Sequence, residues 1–121
     1  MDKPVIIVEG PPPTTLLTED LEVGTGPEAV RGKRVAVHYV GVAHSDGAEF
    51  DSSFGRGEPL VFNLGAGQVI RGWDDGIVGM KVGGRRRITI PPHLGYGARG
   101  AGGVIKPNET LIFVCDLVGV S

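Results

Sequence analysis

The chain has 121 residues, 40% of them hydrophobic, enough for one domain whose core needs neither metal nor disulfide. Twelve Lys and Arg stand against 14 Asp and Glu, a net charge of −2 with the signs interspersed, so no overall field steers the molecule to nucleic acid or anionic lipid. The single cysteine, Cys115, cannot form an internal disulfide, and its apolar neighbours mark it as a small buried hydrophobe of a reducing compartment, not a nucleophile.

At the start, Met1-Asp2-Lys3-Pro4 is followed by only Val5 to Val8 before Glu9, too short a run for a secretory signal. No stretch approaches the roughly 18 apolar residues that span a bilayer. The protein is expected to be cytoplasmic. Residues 1–16 form an N-terminal arm in which Pro11, Pro12 and Pro13 lock the backbone extended and donate no hydrogen bonds. The arm is expected to be partly disordered or loosely docked. The alternative is that Val5 to Val8 covers an apolar sheet face carrying Ile112, Val114 and Val118. Residues 17–121 are the domain itself.

Leu16 to Val23 is a candidate strand, and Val35 to Val40 is a clear one, rich in β-branched and aromatic side chains. Leu60 to Leu64 is a short strand ended by Gly65, and Arg85 to Ile90 another ended by Pro91-Pro92. In Leu111 to Val118, positions 111, 113, 115 and 117 make one apolar face. Helix signals are scarce, because 21 glycines and 9 prolines interrupt nearly every window. Only Ile70 to Val78 lacks proline, and Asp74 and Asp75 would suit the positive end of a helix there. The pattern predicts an α+β fold in which an antiparallel sheet wraps one short helix.

Gly95-Tyr96-Gly97-Ala98-Arg99-Gly100 has the glycine spacing of a dinucleotide-binding loop, but the glycines and proline that follow cannot open the helix that would receive a pyrophosphate. A mobile glycine-rich loop is expected instead. Arg85, Arg86 and Arg87 alternate across a strand, so they read as a solvated face and not a phosphate site. His38, His44 and His93 lack the spacing of zinc ligands, and no serine stands in a nucleophile motif. No metal and no cofactor is assigned. The lone tryptophan, Trp73, sits among Val69, Ile70 and glycines as the wall of a small apolar pocket would. Asp51 follows Phe50, and is either held at the edge of such a pocket by Tyr39 and Arg56 or capping Ser52 and Ser53 in a turn.

The set Val37-His38-Tyr39-Val40-Gly41, Phe50-Asp51-Ser52-Ser53, Val69-Ile70-Arg71-Gly72-Trp73, Gly79-Met80-Lys81-Val82-Gly83, Tyr96-Gly97 and Thr110-Leu111-Ile112-Phe113 resembles the FKBP-type peptidyl-prolyl cis-trans isomerases, in that family's order, from about Leu21 to Val120. The resemblance implies a five-stranded antiparallel sheet curled around one short α-helix. It implies Trp73 as the floor of the pocket, with Tyr39, Phe50, Phe62, Val69 and Phe113 around it and Val104 and Ile105 from the flap. The main-chain amide of Ile70 and the hydroxyl of Tyr96 would donate to substrate carbonyls; Asp51 would act electrostatically, held by Arg56. Three positions depart from the best-known members: Leu60, where an aromatic is common, Gln68, where glutamate is common, and Ala101, where a larger side chain is common. The implied partners are proline-containing peptides, folding proteins and macrolides of the rapamycin type, with the chain a monomer. A proline-peptide binding or chaperone module with little turnover is the alternative.

Overall fold

The computed structural model describes residues 1–121. Six strands form one antiparallel sheet: β1 (Leu17–Glu22), β2 (Arg34–Ala43), β3 (Glu49–Ser52), β4 (Leu60–Asn63), β5 (Arg85–Ile90) and β6 (Leu111–Val120). One helix, α1 (Arg71–Gly76), lies between β4 and β5 in sequence. The α+β architecture is the expected one, with a sheet of six strands in five lanes, β1-β5-β6-β2 and then β3 with β4. β3 pairs with one half of β2, Val40 opposite Ser52, and β4 with the other, Val37 opposite Leu60.

The fifth lane is interrupted because residues 53–59 leave the ladder. Ser53, fully buried, accepts a 2.7 Å hydrogen bond at Oγ from the Tyr39 amide, donates its own amide to the Tyr39 carbonyl, and lies 2.9 Å from His38 Nδ1. Beyond it the chain makes a 3-10 turn over Phe54–Arg56, ended by Gly57 in the left-handed region at φ 71°, where a side chain would be strained. This excursion carries Arg56.

The sheet buries one face under α1. Alternate residues of three strands point there: Val35, Val37 and Tyr39 of β2, Ile88 and Ile90 of β5, and Leu111, Phe113, Cys115 and Leu117 of β6. α1 contributes Trp73, and Ile77 follows four residues on. Gly72 and Gly76, poor helix formers, occur here because the helix presses directly on β5. A Cβ on Gly72 would lie 2.5 Å from Ile90 Cγ2, and one on Gly76 2.9 Å from Ile88 Cγ2. Burial pushes the Cys115 thiol far above its ordinary pKa, so it stays protonated.

The arginines of β5 are not a solvated face. Arg85 grips the buried Asp116 carboxylate through two bonds of 2.6 and 2.8 Å. Arg86 pairs with Asp20 at 2.7 Å and donates to the carbonyls of Gly76 and Val78, closing the C-terminal end of α1. Arg87 donates to the Ile7 carbonyl at 2.9 Å. These partners lie 8 to 80 residues away in sequence, so the run by itself looks free.

Residues 1–16 contain neither helix nor strand. They cross the other face of the sheet, where Ile6 and Val8 pack against Val40, Val42 and Ile112. Ordering a residue costs about 1–2 kcal/mol of backbone entropy, so an arm held by two half-buried aliphatic side chains and a few polar ties is anchored only marginally. The glycine-rich stretch forms a 3-10 turn at Gly97–Arg99 and a tight hairpin in which Ala101 and Ile105 exchange hydrogen bonds. No helix is long and apolar enough to cross a membrane.

Replacing Gly72 by alanine isolates the pressure of α1 on β5. Propensity alone would stabilise the helix by about 1 kcal/mol, whereas overpacking against Ile90 should cost about 1–3 kcal/mol. Urea unfolding of Gly72→Ala is expected to show a net loss; a gain would mean the helix stands clear of the sheet.

Candidate functional site

At the inner side of the sheet, beside α1, a cavity of about 170 Å³ opens to solvent. Trp73, only 3% exposed, forms its floor. The indole is boxed by ring edges: Tyr39 meets it at 4.8 Å and 82°, Phe113 at 5.2 Å and 86°. Phe50 stands edge-on to Phe113 at 5.4 Å. Edge-to-face contacts of this kind are favourable beyond the area they bury. Gly41 makes the arrangement possible, since a Cβ there would lie 2.6 Å from the ring of Phe113 and 2.7 Å from that of Phe50. Trp73 Nε1 is buried without a hydrogen-bond partner in the protein, which costs about 1–3 kcal/mol.

Val69 and Ile70 form the wall ahead of α1, and Tyr96 closes the opposite side. Leu60 and Gln68 complete the rim; both positions stood out in the sequence only as substitutions. Three other residues expected around the pocket do not line it. Phe62 lies behind the indole, 5.8 Å away at 47°, and supports the floor from the core. Ile105 is buried in the same core, and Val104 is 64% exposed on the 101–105 hairpin. Arg56 also stands outside the cavity and acts through its neighbours.

The polar edge of the cavity is a single connected cluster. Tyr39 donates its hydroxyl to Asp51 Oδ2 at 2.7 Å, Arg56 donates to Asp51 Oδ1 at 3.0 Å and to the Tyr39 hydroxyl at 2.8 Å, and the Ser52 amide donates to Asp51 Oδ1 at 2.9 Å. Of the two readings of Asp51 the clamp is the one found: the carboxylate takes only the adjacent Ser52 amide, and the Ser53 amide goes to the Tyr39 carbonyl, so there is no cap over Ser52 and Ser53. Partial burial by itself raises the Asp51 carboxyl, but the bonds from Tyr39 and Arg56 outweigh it and hold the group below the usual carboxylate range. Tyr39 is raised by burial and by its bond to Asp51. Tyr96, 40% exposed, is raised by burial and by the Asp51 charge, and its hydroxyl has no partner in the protein. The Ile70 amide, just ahead of α1, is likewise without an acceptor. Two donors and one carboxylate thus face an apolar hollow.

The turn that presents Val69 and Ile70 is fixed by a residue the sequence suggested only as a helix-dipole partner. Asp74, buried, accepts the Gly65 amide at 2.8 Å and the Gly67 amide at 3.0 Å. Both glycines have positive φ, 84° and 72°. Gln68 adds a bond from the Asn63 amide to its Oε1 at 2.8 Å.

A cavity of about 420 Å³ lies between the arm and the sheet, but it mixes Glu9, Glu19, His44 and Arg87 with prolines and has no aromatic wall. Size does not select the site; lining does. The smaller hollow suits one compact apolar ring, as dry cavities of about 150 Å³ hold benzene.

Residues 26–118 match the family model of the FKBP-type peptidyl-prolyl cis-trans isomerases. An FK506-binding protein of Streptomyces anulatus is 64% identical over 112 residues, 92% of this chain and 90% of that one. An FK506-binding protein of Neisseria meningitidis serogroup A is 57% identical, covering 88% of this chain and 96% of its own length. Among solved structures, AtFKBP13 superposes with a TM-score of 0.81 at 45% identity, over 91% of this chain and 96% of that one. FkpA from Escherichia coli gives 0.80 at 42% identity over 89% of this chain, which spans about half (49%) of the FkpA chain.

Asp74→Asn removes one of the two acceptors that hold the 65–67 turn. A loss of about 1–3 kcal/mol is expected, the cost of leaving one amide unsatisfied, measured by urea unfolding. Unchanged stability would show that the turn holds without the carboxylate.

Proposed function

The chain belongs to the FKBP-type peptidyl-prolyl cis-trans isomerases, and from that membership we propose that it accelerates rotation about Xaa-Pro bonds in peptides and folding proteins. The observation that carries the reading is the apolar hollow over Trp73, with donors at Ile70 and Tyr96 and a carboxylate at Asp51. The barrier to be lowered is about 18–20 kcal/mol, set by amide resonance. Uncatalysed, the rotation takes tens to hundreds of seconds. No covalent bond breaks, so the site needs neither a nucleophile nor a proton to transfer.

The walls act by preferring the twisted amide. A planar amide carries more charge on its oxygen, so it loses more hydration on entering a cavity floored by Trp73 and walled by Tyr39, Phe50 and Phe113. The donors have a different role. An N–H directed at the carbonyl of the rotating bond would favour the planar, more polar form. The Ile70 amide and the Tyr96 hydroxyl therefore serve neighbouring carbonyls, fixing one side of the peptide while the other turns. Asp51 adds negative charge at the rim, which disfavours the planar amide whose oxygen is more negative. Each tenfold in rate is 1.36 kcal/mol, so about a thousandfold requires only about 4 kcal/mol.

The relatives carry the name FK506-binding protein, and we propose that macrolides of the FK506 and rapamycin type enter the same hollow. Leu60, Gln68 and Ala101 would tune their affinity: the first two line the rim, and the third anchors the 101–105 hairpin. The relatives' names record binding and not turnover, so a proline-peptide holding module that uses the same cavity is the second reading. A refolding assay limited by prolyl isomerisation separates the two. Acceleration at catalytic protein concentrations is expected, and a rate that rises only with stoichiometric protein would favour holding.

Trp73→Ala, and the gentler Trp73→Phe, should weaken proline-peptide binding at least tenfold by calorimetry, and unaltered affinity would move the site elsewhere. Asp51→Asn should slow turnover by about tenfold, roughly 1.4 kcal/mol, without abolishing it. The folded carboxyl lies below its unfolded value of about 3.9. Its charge is therefore complete above that value and is lost only as pH falls through the lower, folded pKa. The wild-type rate should be flat from pH 8 to about 5 as far as Asp51 is concerned. A titration in that interval that disappears in Asp51→Asn would contradict this assignment.

A further inference from the structure

The outer face of the sheet already holds a piece of polypeptide. Along the arm Pro4, Ile6 and Val8 turn inward while Val5 and Ile7, 88% and 65% exposed, turn out, the alternation of an extended chain. Yet the arm makes no backbone ladder with any strand and lies across the sheet instead of along an edge. It is held by Ile6 and Val8 on Val40, Val42 and Ile112, and by two guanidinium groups that bind main-chain carbonyls, Arg85 at Asp2 and Arg87 at Ile7. Lys3 adds an exposed ion pair with Glu49. Carbonyls are present in any peptide, so apart from that pair the contacts ask only for extended backbone and β-branched side chains at alternate positions. The seat is also poorly filled, since about 420 Å³ remains open beside Ile7, Pro11, Pro13 and Arg87.

We propose that this face is a second peptide-binding site, on the side of the sheet away from the Trp73 cavity, which takes an extended β-branched segment of another polypeptide, and that the arm is its displaceable occupant. The marginal anchoring of the arm permits the exchange. The proposal does not depend on turnover at the cavity.

The full-length protein tests it with a fluorescein-labelled peptide of residues 2–10 carrying Pro4→Ala, which offers the cavity no Xaa-Pro bond. A double variant, Ile6→Asp with Val8→Asp, releases the arm. Fluorescence anisotropy should show the peptide binding this variant at least tenfold more tightly than the wild type. Adding Arg87→Gln should reverse the gain, and an unrelated peptide of alternating valine and threonine should compete. Excess proline peptide should not displace the probe, and the isomerase rate of the double variant should equal that of the wild type. Equal or absent binding to the two proteins, or displacement by the proline peptide, overturns the proposal. Should urea unfolding show the double variant to be destabilised, Ile6→Ser alone is judged by the same outcomes. A wild type that dimerises with concentration in sedimentation, and loses the dimer on Ile6→Ser, would make a second copy the occupant and refute the claim for other polypeptides.

Discussion

Tyr39 joins the two halves of the site. Its ring edge rests on the Trp73 indole and its hydroxyl is donated to Asp51, so one side chain sets both the floor and the polar rim. Its placement follows from β2, the only strand paired on one side with β6 and on the other with β3 and β4. Along β2 the odd positions face inward, and the sequence there passes from Val35 and Val37 to Tyr39 and then Gly41. The glycine leaves room for the rings of Phe50 and Phe113 where any Cβ would collide with them. The missing side chain is what lets those two rings stand where they wall the hollow.

That cavity is chemically simple. An apolar lining, two unengaged donors and a carboxylate held ionised are suited to a reaction in which a dihedral angle changes and no bond is made. Tyr39 and Arg56 hold the carboxylate below its ordinary range against the burial that by itself would raise it. Arg56 reaches it only because residues 53–59 leave the sheet, and Ser53 fixes the point of departure with its buried hydroxyl.

Much of this was legible in the residues. β5 was read within its true bounds because its β-branched end stops against two prolines, and the core face of β6 was visible in its alternation. β3 was not read as a strand, since Glu-Phe-Asp-Ser has little strand character alone and owes its conformation to pairing with β2. Apolar residues near the site were harder to assign than polar ones. The resemblance implies Phe62 and Ile105 as pocket residues, but a family pattern does not separate the lining of a hollow from the core packed behind it, where both lie. Asp74 looked like a charge at the start of a helix, whereas its carboxylate turns back to the loop before the helix. The β5 arginines read as solvated for a related reason: their partners come from the arm, β1, β6 and the end of α1, none of which sequence proximity indicates.

The broken fifth lane separates shape from support. Because β3 and β4 are each aligned independently against β2, the segment between them can lengthen, shorten or change composition without shifting the pairing on either side. Insertions there would shift Arg56 against Asp51 while the indole and its surrounding rings stay in place. A single scaffold of this kind can retune the charge at its rim without giving up the hollow.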